Sequence, residues 1–168
     1  MIDRGYCVTM ARYNAWQNAQ IDEALVDWSP EDLTRNRGAF FGSMLGTLNH
    51  LLWGDVIWMS RFDGGPAPDG GIPDSPDRHT TLAGWRDERY ATDARIRTWA
   101  NALDDTALQS DLTWFSGALN KEVRRPRALC ITHMFNHQTH HRGQVHAMLT
   151  AAGSAAPVSD LFVMPEEA

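Results

Sequence analysis

The strongest regularity along the chain is the return of apolar residues every three or four positions, the period of an amphipathic helix. Tyr13, Trp16, Ile21, Ala24, Leu25 and Trp28 mark a first helix over roughly 8–28. Ser29-Pro30-Glu31-Asp32 follows as a cap and the first turn of a short helical segment. Phe41, Met44, Leu45, Leu48, Leu52, Val56 and Met59 form one stripe of a second long helix, about 39–61, and Gly46, His50, Trp53 and Ile57 lie on its other side. A helix apolar almost all round is buried on more than one side. Asp63-Gly64-Gly65-Pro66 ends it, and the Gly-, Pro- and Asp-rich stretch 63–79 reads as a long surface connection able to cross a bundle from end to end. Leu82, Trp85, Ile96, Trp99 and Leu103 mark a third helix, 82–103, capped by Thr80 or Thr81. Residues 112–123 read as irregular, with room for a small hairpin. The fourth helix starts near Pro126, runs to about 152 and stops at Gly153, with Pro157 closing off any continuation. Four long helices without convincing strands predict an all-α fold, a four-helix bundle forming one domain over 1–168.

Composition narrows the function classes. The chain has 168 residues, 43% of them apolar, with seven Trp and six Phe, enough for a real core. A formal charge of −6 argues against a protein that works by neutralising phosphates, so no nucleic-acid partner is expected. The small basic patch of Lys121, Arg124, Arg125 and Arg127 reads as a solvated face. Two cysteines, Cys7 and Cys130, are too few for a disulfide scaffold. With no secretory h-region at the start and no apolar run near ~18 residues, the expectation is a reduced, cytoplasmic protein without a membrane span.

Chemistry concentrates in the last helix. His133, His137, His140, His141 and His146 all fall there, and the first four share with Gln144 an arc of about 100° on a helix. His137 and His141 are four apart, one turn up the same face, where two imidazoles can meet one metal ion. His133 and His141 are about 12 Å apart along the axis, too far to share an ion bound at about 2.0–2.1 Å. A third ligand must come from another helix, and His50, beside the small residues Ser43, Gly46, Thr47 and Gly54, is the natural one. His79, in the flexible connection, is poorer. A lone histidine on an apolar face is more often a hydrogen-bonded core group than a ligand; the pair plus His50 tips the balance towards a metal site. Asp55 or Asn136 could orient an imidazole, and Cys130 reads as a packed apolar group. No phosphate loop or nucleophile elbow is present, and the His137–His141 pair carries Gln138 where His-Glu-x-x-His has its general base.

Three stretches together resemble the DinB superfamily of DinB/YfiT-like metalloenzymes: Ala11-Arg-Tyr-Asn-Ala-Trp16, Leu48-Asn-His50-Leu-Leu-Trp53, and the most specific, His133-Met-Phe-Asn-His137-Gln-Thr-His140-His141-Arg-Gly-Gln144. Their order and separation agree over nearly the whole chain. The resemblance implies an up-down-down-up four-helix bundle, with 63–79 as the crossover. It implies one divalent ion, zinc or nickel, on His50, His137 and His141, and a homodimer. It also implies a metal-dependent enzyme acting on a small-molecule substrate, such as a transferase using a low-molecular-weight thiol. His133, His140 and Gln144 would line the pocket or support the ligands. Metal-assisted hydrolysis and a non-catalytic stress-response module stapled by its metal are the alternatives.

Overall fold

A computed structural model of the chain describes residues 2–167. It is mostly helical. Four long helices, α1 (Arg4–Ala24), α3 (Met44–Asp63), α4 (Leu82–Ala102) and α6 (Arg127–Ala151), are joined by short helices α2 (Pro30–Thr34) and α5 (Asp105–Leu108) and by an antiparallel hairpin of β1 (Asp111–Ser116) and β2 (Lys121–Pro126). The all-α expectation is corrected by that hairpin, in which Leu112 and Val123 turn inward while their neighbours face solvent. Such two-residue alternation is visible in sequence only over a few positions, too few to separate from a loop.

Local signals set most helix ends. Ser43 caps α3, its hydroxyl accepting from the Gly46 amide, and Gly64 ends it at φ 73°, a left-handed conformation that glycine adopts without strain. Thr81, not Thr80, caps α4. Helix α3 begins later than expected because 39–42 closes into a tight turn bridged between Ala39 and Gly42.

The side chains sort into two apolar clusters separated by a polar layer. Cys7, Met59, Phe62, Ile96, Ile131 and Phe135 belong to one cluster; Ile21, Leu25, Leu48, Leu52, Trp85 and Leu149 belong to the other. Between them in each long helix lie buried polar residues: Asn14 and Asn18 in α1, Asp55 in α3, Arg89 and Asp93 in α4, Gln138 and Arg142 in α6. Arg89 donates to Asp55 at 2.6 Å and reaches Asp93 at 2.8 Å. Gln138 donates to Asp55 at 2.8 Å and takes a bond from Asn14, while Asn18 donates to Asp93 at 3.1 Å. The buried Arg142 guanidinium lies 5.3 Å from the Tyr13 ring. Burial works against the charge of Arg89, but Asp93 and Asp55 outweigh it and raise its pKa.

Helix α3 is apolar on several sides because the chain covers it there: it packs against α4, α6, α2 and the connection itself. The stretch 63–79 is therefore more than a surface crossing. Its 3-10 turn Ser75–Asp77 docks on α3, and Asn49 Nδ2 donates to the carbonyls of Pro76 and His79 at 2.7 and 2.8 Å. The tail after α6 lies on α1, where Tyr13 donates to the Ser159 carbonyl at 2.6 Å and Gln17 to that of Val158 at 2.7 Å. Cys7 and Cys130 are free and buried. Among the described residues no helix is long and apolar enough to cross a membrane.

Replacing Arg89 by Met strands two carboxylates in a dry interior. Unfolding free energy should fall by about 3–5 kcal/mol in urea titrations; a loss below about 1 kcal/mol would show that water, not Arg89, satisfies the layer.

Candidate metal centre

Helices α3 and α6 bring three imidazoles together. One ring nitrogen from each of His50, His137 and His141 lies within 4.8 Å of the others, and Nε2 of His50 is 3.1 Å from Nε2 of His137. Bonds of about 2.0–2.1 Å at a tetrahedral ion would set two such nitrogens about 3.3 Å apart. The one-turn spacing on α6 sets His137 and His141 edge to face, with ring centroids 4.4 Å apart and planes at 72°. His137 can lean towards α3 because residue 54 is glycine: a Cβ there would fall 2.6 Å from the His137 Cε1. Phe41, from the turn before α3, stacks on His50 at 3.7 Å and closes the site on that side.

Hydrogen bonds fix how two of the rings face. Ser75 donates its hydroxyl proton to the Ile72 carbonyl at 2.7 Å, so the 2.8 Å contact between His50 Nδ1 and Ser75 Oγ has the imidazole as donor. His141 Nδ1 likewise sits 2.8 Å from Gln144 Oε1. With Nδ1 protonated in both rings, each Nε2 carries a lone pair, the form a metal ligand needs. The Nδ1 of His137 is buried without a hydrogen-bond partner.

Electrostatics favour the neutral rings. Burial, reinforced by neighbouring imidazoles, pushes His137 down to about 3 and His50 to about 4, and lowers His141 as well. At neutral pH the cluster is three uncharged nitrogen donors, a borderline-soft set suited to zinc, nickel, copper, cobalt or ferrous iron.

The cluster opens onto a cleft of about 1070 Å³. Its walls are aromatic: Trp53 and Trp58 from α3, Trp114 and Phe115 from β1, and Phe40 and Phe41 from the turn. His133, His140 and Gln144 line it, and among the described residues no Asp or Glu does. His133 is set back from the cluster, its ring 6.1 Å from that of His137 and 5.2 Å from Trp58, whereas His140 packs 4.8 Å from His141.

Two sequence expectations are corrected. Asp55 orients no imidazole: it is fully buried on the far side of α3, held by Arg89 and Gln138, and Asn136 is exposed. Gln138, in the general-base position of His-Glu-x-x-His, points into the same polar layer. His79 is held by Glu88 at 2.6 Å, outside the cluster. Sequence reasoning missed Ser75, which only the fold of the connection brings to His50. It placed Gly54 among the small residues beside His50, but the ring that takes up the space of its missing Cβ is that of His137.

Unfolded imidazoles titrate near 6.5, while in the folded metal-free chain His50 and His137 stay neutral far below that. Between those values the unfolded state binds more protons, so the stability is fully present above about pH 6.5 and is lost as the pH falls towards 4. The urea midpoint of metal-free protein should drop across this window, and a His50→Ala/His137→Ala variant should drop less. Equal slopes would contradict the neutral cluster.

The site sits in a sequence with recognisable relatives. The family model described as "DinB family" matches residues 1–168. The chain is 24% identical to "Protein DinB" of Bacillus subtilis (strain 168) over 170 residues, covering 92% of this chain and 91% of that protein. It is similar in fold to the crystal structure of a DinB-like protein from Bacillus cereus ATCC 10987, with a TM-score of 0.59 at 19% identity, over 85% of this chain and 90% of that one. A family model spanning the whole chain, with a fold neighbour of the same kind, shows that this protein belongs to the DinB family.

Proposed function

We propose that the chain is a metal-dependent enzyme that holds one divalent ion, zinc or nickel, on His50, His137 and His141 and transfers a low-molecular-weight thiol to a small electrophile. The observation that carries this proposal is the convergence of three neutral imidazoles from two helices at the wall of an open cleft. The donor set fits such an ion: two rings are held with Nε2 unprotonated, and His137 Nδ1 has no protein partner that would pull its ring away. When bound, the ion supplies Lewis-acid activation, lowering the pKa of a thiol or water at its open position.

The residues divide the remaining work. His50, His137 and His141 bind, and Ser75 and Gln144 hold the outer ring nitrogens so that the inner ones stay aimed. The aromatic walls exclude water and take the apolar body of a substrate. His133 and His140, on the cleft wall, are placed to take the thiol proton. Three protein ligands favour chemistry over a structural staple, since structural zinc is usually closed by four. The absence of a carboxylate from the cleft lining favours thiol activation over hydrolysis, which needs a base for the water. The order of core residues along the helices supports an up-down-down-up bundle: the cluster of Cys7 is met early in α1 and α6 but late in α3 and α4.

Protein purified without a polyhistidine tag should contain close to one equivalent of zinc or nickel by elemental analysis, and His137→Ala should contain almost none. Conjugation of 1-chloro-2,4-dinitrobenzene with cysteine or glutathione should follow metal content; turnover of esters alone would discard the transferase. Gly54→Ala tests the geometry separately. It improves helix propensity by about 1 kcal/mol, so the fold should be no less stable. The added methyl pushes the His137 ring away, and metal affinity should fall at least about tenfold. Unchanged affinity would mean that His137 does not need that space.

A further inference from the structure

Arg61 stands in the same cleft with no counter-charge. It occupies the last turn of α3, half-buried, with its guanidinium carbon 4.5 Å from the Trp58 ring centroid and 5.3 Å from that of Trp114. Among the described residues no carboxylate pairs with it, whereas Arg78, Arg86, Arg89, Arg95 and Arg124 each hold one. The contrast matters in a chain of formal charge −6: acidic groups are plentiful, yet none lines this cleft. Burial lowers the Arg61 pKa, a desolvation penalty that an anionic partner would relieve. Two indoles around a guanidinium leave its edge N–H groups free while presenting flat apolar surfaces beside it.

We propose that Arg61 anchors the carboxylate of the electrophilic substrate, an organic anion whose flat apolar body lies along Trp58 and Trp114 and whose other end points to the histidine cluster. The planar fork of the guanidinium matches a carboxylate. Arg61 lies two helical turns beyond Gly54, where His137 packs, a rise of about 10 Å. Its side chain leans back towards the N-terminus of α3 and shortens that span. A body of one or two fused rings bridges it, with His133 on the way, 5.2 Å from Trp58. The hairpin is then a substrate wall, since β1 supplies Trp114. The assignment of the far end rests on the proposed metal chemistry; the anion anchor does not.

The test compares 2-naphthoate with the isosteric 2-naphthamide by isothermal titration calorimetry, on full-length protein with its metal content measured. In wild-type protein naphthoate should bind at least about tenfold more tightly than naphthamide, the weight of one charge-assisted hydrogen bond. Arg61→Met keeps an unbranched apolar side chain beside the indoles without the charge and should erase that preference while leaving metal content and melting temperature unchanged. Equal binding of acid and amide to wild-type protein overturns the proposal without reference to any variant. A preference that survives in Arg61→Met overturns it too, because the metal would then be the carboxylate's partner. Glutathione should not displace naphthoate through Arg61; if it does so in wild type and not in Arg61→Met, the anchor serves the thiol and the assignment to the electrophile fails. Should wild-type protein bind no metal, the enzymatic proposal falls, and the His137→Ala protein still reports whether naphthoate is preferred.

Discussion

The candidate site depends on the register between α3 and α6, which is set by two adjacent pairs of residues. Gly54 and His137 meet on the cleft side, and Asp55 and Gln138 meet on the interior side. The first pair is a close approach that needs the absence of a side chain. The second is a buried hydrogen bond at 2.8 Å that cannot be lost without leaving a charged group unsatisfied. A slide of either helix by one residue would break both at once. The imidazoles therefore meet where they do because the interior behind them admits one alignment.

That interior is unusual for its charge. Asp55 and Asp93 share Arg89, and asparagine and glutamine from α1 and α6 complete the layer. Buried ion pairs seldom add net stability over apolar packing, but they penalise any arrangement that separates them. The two apolar clusters on either side hold the helices together without specifying their offset. The polar layer supplies the offset, and it does so within a turn of the histidines.

The same division explains the two faces of α6. Its residues alternate between ligand candidates aimed at the cleft and groups that fasten the helix to its neighbours: His137 beside Gln138, His141 beside Arg142. The cleft face keeps neutral imidazoles, aromatic walls and a single guanidinium, and carries no acid. Behind the interior face lie the acids of the neighbouring helices, Asp55 of α3 and Asp93 of α4, each already engaged. An overall acidic protein thus presents a cavity suited to an anion, because its carboxylates near the site are spent on structure.

Much of this could be read from the chain before folding. Helical periodicity located the four long helices to within a few residues, and residues such as Ser29 and Gly64 marked ends, since these signals are local, whereas the cap at Ser43 was hidden inside an apolar run. The i, i+4 pair of His137 and His141 was legible for the same reason, and His50 stood out as a histidine in an apolar helix. Other features were invisible because they rest on residues distant in sequence. Ser75 reaches His50 only when the connection docks on α3. Asp55, which looked able to serve an imidazole, turns to Arg89 because helical geometry and α4 together put it on the interior face. The hairpin of 111–126 needed tertiary contacts with α3 and α6 to become a wall. By itself the sequence determined which residues could ligate and which helices carry them, as short-range spacing fixes the face of a helix. Only the packed structure decided which of them meet, because that depends on the offset between helices, set by long-range pairs no local pattern encodes.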